Sequence, residues 1–81
     1  MNLENIGNRI KFLRLNYTNY SQDEFATKMG FDRSYMSRVE SGKQNITVGT
    51  LIKICEEGLE ISLKDFFDFD NVDIVRIGVN N

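Results

Sequence analysis

Between Ser21 and Gly42 the chain carries the start and stop signals of a helix twice over, and this constrains its fold more than any other feature. Ser21-Gln22-Asp23-Glu24 has the form of a capping box, in which the Ser21 hydroxyl accepts from the Glu24 amide and the Glu24 carboxylate reaches back. Tyr20 and Phe25 stand where a hydrophobic staple would put them, and Ala26 and Met29 continue the buried face. Gly30 supplies the left-handed residue on which helices end. The same signals then recur: Asp32 as N-cap, Phe31 and Met36 as a second staple, Gly42 as a second stop. The spacing predicts helices over about 21–29 and about 33–41, joined by a turn too short to let them separate.

The flanking segments read as helices too. Leu3, Ile6, Ile10, Leu13 and Tyr17 recur at alternating spacings of three and four, one apolar stripe of a helix over about 3–16. Asn2 is its N-cap and Glu4 is well placed in its first turn. Asn16, Thr18 and Asn19 suit a turn. Thr47 caps a fourth helix with Val48, Leu51, Ile52 and Cys55 on one face and Gly58 at its end, and Ser62-Leu63-Lys64-Asp65 opens a short fifth carrying Phe66 and Phe67. The expected fold is all-α, a compact five-helix domain over residues 1–67 with a tail over 68–81. In that tail Ile74, Val75, Ile77 and Val79 favour an extended strand with no partner in the chain, which leaves it either disordered or paired with a second copy.

Composition removes most other classes. At 81 residues there is room for one domain, which buries only roughly 60–65% of its unfolded surface, so dimerisation is a ready source of added stability. There is no histidine, and hence neither the usual general base nor the commonest metal ligand. No nucleophile–base pair or phosphate-cradling loop replaces it, so the expectation is a non-enzyme with no cofactor, no metal and no small-molecule substrate. Asp68, Asp70 and Asp73 resemble part of a calcium loop, but Asp73 falls where the loop needs glycine and no glutamate follows at the twelfth position. The lone Cys55 cannot form an internal disulfide and reads as a small buried hydrophobe. No apolar run suits a membrane span and the N-terminus has no signal-like core, so a cytoplasmic location with no membrane partner is expected.

The net charge of −2 speaks against nucleic acid until the chain is divided. Residues 1–45 hold seven Lys/Arg against five acids, net +2, and residues 46–81 hold three against seven, net −4. An anionic ligand is thereby directed to the first half. On a helical wheel for 33–41, Arg33, Ser34, Ser37, Arg38 and Ser41 share an arc of about 140° with no acid on it, while Tyr35, Met36 and Val39 face the core. Glu40 borders the polar arc. A helix of this kind fits the major groove, where arginine bridges guanine O6 and N7 and serine reaches any base edge. Arg33, Ser34, Ser37 and Arg38 are therefore the candidate base-contacting residues. Lys43, Gln44 and Asn45, just beyond the helix, can donate to phosphates or form an ordinary polar loop, and Tyr35 either packs or lays its hydroxyl on one. The alternative for 33–41 is an ordinary solvated face; the short helix and glycine turn before it argue against that.

At these residues the sequence resembles the phage repressor/Cro-type helix-turn-helix proteins, over about residues 6–67. The resemblance is carried by Ser21-Gln22-x-x-Phe25-Ala26-x-x-x-Gly30, then Ser34-x-Met36-Ser37-x-Val39-Glu40-x-Gly42-x-x-Asn45, then Thr50-Leu51-x-Lys53-Ile54. It implies dimerisation and base contacts from the start of the second of the two short helices. It also implies a phosphate contact from Gln22 and a structural ion pair between Arg14 and Glu40. Asp32-Arg33-Ser34-Tyr35-Met36-Ser37 and Gly58-Leu59-Glu60-Ile61-Ser62 with Phe66-Phe67 look most like controller proteins of restriction–modification systems. The turn between Arg14 and Gln22 is one residue longer than the family's commonest form, and the tail has no counterpart.

Phe66 and Phe67 are consecutive and cannot both face one small core, so one of them, with Ile61 and Leu63, covers a partner subunit, and the expected dimer interface is Ile61, Leu63, Phe66 and Phe67, within about 59–67. The function expected is a sequence-specific transcriptional regulator binding a palindromic double-stranded operator as a homodimer. The competing reading, an antitoxin or adaptor that uses the same fold for protein–protein binding, draws on the acidic second half and the unplaced tail.

Overall fold

A computed structural model describes residues 2–68. Five helices follow in order: α1 (Leu3–Tyr17), α2 (Gln22–Met29), α3 (Arg33–Glu40), α4 (Val48–Lys53) and α5 (Leu63–Phe66). Ile54–Leu59 extend α4 as a π-helical coil, and there is no strand among the described residues. The segment with Ile74, Val75, Ile77 and Val79 lies outside the described residues.

Local capping chemistry sets most of these boundaries. The Asn2 side chain accepts from the Asn5 amide at 2.9 Å and the Asn5 side chain accepts from the Asn2 amide at 3.1 Å. Ser21 and Glu24 make the expected reciprocal pair at 3.1 and 2.8 Å. Gly30 is left-handed at φ 75°, a conformation that glycine takes at no steric cost. Thr47 and Ser62 each accept from the amide three residues on. Asp32 occupies the N-cap position of α3 without making a side-chain cap bond, so its contribution there is the favourable charge at a helix N-terminus.

The core is one cluster: Ile10 and Leu13 from α1, Phe25, Ala26 and Met29 from α2, Met36 and Val39 from α3, Leu51, Ile54, Cys55 and Leu59 from α4 and its extension, and Phe66 from α5. Four expectations are corrected. Tyr17, last in the apolar stripe, is 71% exposed, because fifteen-residue α1 overhangs the eight-residue helices packed on it. Val48 is 67% exposed, since the first turn of α4 stands off the core. Gly58 does not end α4: the chain stays helical to Leu59, and Glu60 takes the left-handed turn at φ 60°, costing about 1–2 kcal/mol for a residue with a side chain. Glycine is needed at 58 for another reason, because a Cβ there would lie 2.5 Å from Phe25 Cζ and 2.8 Å from Met29 Sδ. The fourth correction concerns Phe66, which is 0% exposed within its own subunit and has no surface left for a partner.

Two buried or half-buried cations close helix ends. Arg9 donates from Nε to the Phe66 carbonyl at 2.8 Å and from Nη2 to those of Asp65 and Asp68 at 3.0 and 3.2 Å, fastening α5 to α1. Lys53 donates to the Met29 carbonyl at the end of α2 at 3.0 Å.

Candidate nucleic-acid interface

The way α3 is held decides which of its side chains face outward. A Cβ at Gly7 would collide with the Val39 carbonyl oxygen, so α1 and α3 meet backbone to backbone there. Arg14 of α1 donates to Glu40 of α3 through Nε at 2.8 Å and Nη2 at 3.0 Å, a bidentate pair in which both side chains are buried. Arg14 Nη1 also reaches the Tyr20 carbonyl at 3.2 Å, and Gln22 Nε2 donates to Glu40 Oε1 at 3.0 Å. One carboxylate thus gathers donors from α1 and α2 and fixes α3 against both. The same bonds neutralise the one acid that borders the polar face of α3.

Locked in this way, α3 presents Arg33, Ser34, Ser37 and Arg38 to solvent, with Ser41 at its C-cap. With Gln22 and Asp23 of α2, Arg33, Ser34 and Ser37 line a shallow groove. Both arginines are engaged through Nε. Arg33 Nε lies 3.0 Å from Asp23 Oδ1, and Arg38 Nε donates to Gln44 Oε1 at 2.9 Å. Gln44 in turn donates to the Asn45 carbonyl at 3.2 Å, tying the loop to the helix end. Lys43 and Asn45 are exposed on that loop. Tyr35 is half-buried: its ring meets Phe31 edge-on at 4.9 Å, and the Arg38 guanidinium lies 5.9 Å from it.

Sequence reasoning missed the place of Asp23 beside Arg33, the bond between Arg38 and Gln44, and the Arg9 clamp. A wheel of one helix contains no acid from its neighbour, and residues 57 apart in sequence give no local signal. Two of the seven cations in the first half, Arg9 and Arg14, are buried in structural roles. Lys28 is engaged elsewhere, its ammonium 4.7 Å from the Tyr20 ring centroid and 3.6 Å from Glu60, and its pKa is raised, by Tyr20 first and then by Glu60. Arg33, Arg38 and Lys43 therefore dominate the cationic character of the α3 face. Cys55 is fully buried, and desolvation, with a smaller push from Glu56, raises its thiol to about 11. Among the described residues no cluster of His, Cys, Asp and Glu side chains is placed to hold a metal, and no helix is long and apolar enough to cross a membrane.

Of the expected interface residues near the C-terminus, Ile61 and Leu63 are half-buried and Phe67 is 39% exposed, its ring edge-on to Phe66 at 5.1 Å.

A short helix, a left-handed glycine and a second short helix with a polar, cationic outer face define a helix-turn-helix protein. The helix-turn-helix family model matches residues 10–65. The chain is 43% identical over 61 residues to the control protein C.MunI of a Mycoplasma species, covering 75% of this chain and 81% of that one. It is 30% identical over 66 residues to the control protein C.BamHI of Bacillus amyloliquefaciens, covering 82% and 80%. Among solved structures, the controller protein C.Esp1396I, as a tetramer with its natural 35-base-pair operator, superposes with a TM-score of 0.71 at 35% identity, over 80% of this chain and 83% of that one. C.AhdI of Aeromonas hydrophila does so with a TM-score of 0.71 at 32% identity, over 80% and 96%. The chain belongs to the helix-turn-helix family and, within it, to the controller proteins of restriction–modification systems.

Proposed function

We propose that this protein is a sequence-specific DNA-binding transcriptional regulator, the controller of a restriction–modification system, acting as a homodimer on a palindromic operator. The observation that carries the reading is the outer face of α3, where Arg33, Ser34, Ser37 and Arg38 are all exposed and the one acid of that helix is buried on Arg14. These four residues read base edges in the major groove. Lys43 and Asn45 contact phosphates. Gln22 does so with the Nε2 hydrogen that Glu40 leaves unused, and Tyr35 with its hydroxyl, its ring being half-packed. Ile61, Leu63 and Phe67 form the dimer contact, without Phe66.

The operator-bound assemblies of C.Esp1396I support this reading by kinship. The protein is not an enzyme, needs no cofactor, and acts where the DNA is, in the cytoplasm. A two-fold dimer presents both recognition helices to one face of the duplex, so its half-sites lie about 10–11 base pairs apart. Selection of bound sites from random DNA tests the proposal. A palindrome with that spacing is expected, and an unordered set of sequences or a single isolated half-site contradicts it.

A further inference from the structure

An acid on a surface offered to DNA opposes binding, since it repels every phosphate it approaches. Glu40 avoids this by being buried on Arg14. Asp23 does not: it stands in the groove between α2 and α3 with 55% of its side chain exposed, and Oδ1 lies 3.0 Å from Nε of Arg33, itself 78% exposed. A pair this open contributes little to the stability of the fold. Capping does not require it either, because Ser21 and Glu24 already form the box at that helix start.

We propose that Asp23 is a specificity-determining positioning residue that acts through Arg33. The inference rests on α3 being the recognition helix. A guanidinium carries its five N–H donors in one plane. With the Asp23 carboxylate 3.0 Å from Nε, charge attraction draws the Nε side of that plane toward α2 and leaves the Nη1/Nη2 edge available to the O6 and N7 of a guanine. An unheld arginine on a flexible stem reaches phosphates as readily as bases. The carboxylate beside it disfavours phosphate approach and so trades general affinity for discrimination. Arg38 provides an internal comparison: its Nε is held at 2.9 Å by the neutral Oε1 of Gln44, which gives orientation without charge.

The test uses the full chain and four variants: Asp23→Ala, Asp23→Asn, Arg33→Ala and the Asp23→Ala/Arg33→Ala pair. Each is measured for binding to the parent's selected site and to scrambled DNA, and for base frequencies among sites selected from random DNA. Base frequencies do not depend on how much of a variant is folded, and Asp23→Asn preserves the shape of the helix start. Asp23→Ala is expected to bind scrambled DNA more tightly and to lose about five-fold or more of the preference at one base position, the position that Arg33→Ala flattens. Asp23→Asn keeps an oxygen beside Nε but loses the charge, so it gains general affinity while retaining part of that preference. In the Arg33→Ala background, removing Asp23 leaves base preferences unchanged. A selective parent whose Asp23→Ala variant keeps the full preference at that position overturns the proposal alone, as does an effect that persists without Arg33. A parent that selects no site overturns the recognition-helix reading and this proposal with it.

Discussion

Replacing Glu40 by glutamine tests the junction on which the orientation of α3 depends. The change keeps shape and volume but removes the charge that Arg14 meets at 2.8 and 3.0 Å with both side chains buried. It also forces one amide to meet donors from Arg14 and Gln22 with a single acceptor oxygen. Stripping a buried ion pair of one member costs about 3–5 kcal/mol, mostly from the unpaired buried charge. In a domain of this size each kcal/mol lowers the melting temperature by about 4–8 °C, so a fall of at least about 12 °C is expected. Thermal unfolding followed by circular dichroism reads this directly. Salt should change the difference little, because a buried pair is poorly screened. A double variant, Arg14→Met with Glu40→Leu, should recover most of the loss, since a packed apolar pair is often as stable as the ions it replaces. An Glu40→Gln protein that melts within about 3 °C of the parent would refute the reasoning. The pair would then be a surface contact with no structural role.

Other consequences can be checked independently. Phe67→Ala should raise the dimer dissociation constant about five-fold in sedimentation while leaving the subunit folded; Phe66→Ala should instead destabilise the subunit by about 3–5 kcal/mol, seen in its melting curve. Gly58→Ala should cost at least about 1–3 kcal/mol in urea unfolding, since the new methyl would lie 2.5 Å from Phe25 Cζ. Raising the Cys55 pKa from 9.0 to about 11 means that the unfolded chain ionises first, so stability is fully present below pH 9 and is lost between about 9 and 11. A Cys55→Ala variant, whatever its lower baseline, should lack that alkaline decline in a pH series of melts.

Much of the fold was legible because its punctuation is local. Ser21 with Glu24, Gly30, Thr47 and Ser62 each act within one turn, and the helix starts follow from them. Gly58 shows where such reading fails: a glycine at the end of an apolar helix looks like a stop, but this one leaves room for the ring of Phe25. Periodicity names the apolar face of α1 without saying where the core ends, and Tyr17 lies past that edge. At the candidate interface the outward residues of α3 were readable from its wheel. The contacts that Asp23 and Gln44 make with the arginines were not, because both come from other elements. The Phe66-Phe67 pair was read as shared between core and partner, but no sequence rule says which ring turns inward.

Recognition by this protein turns on whether α3 reads bases while the loop after it grips the backbone. A salt titration of Arg33→Ala, Arg38→Ala and Lys43→Ala on the selected operator and on scrambled DNA measures both at once. Each arginine loss is predicted to cost about 1–3 kcal/mol at the selected site and to flatten preference at one base position. Lys43, beyond Gly42 and off the helix, holds a point charge suited to phosphate. Its loss should weaken binding to all sequences about equally and lower the salt slope by about one unit. If Lys43→Ala instead changed base preference while both arginine variants lost affinity uniformly, the loop would be the reading surface and the assignment of α3 as recognition helix would be wrong.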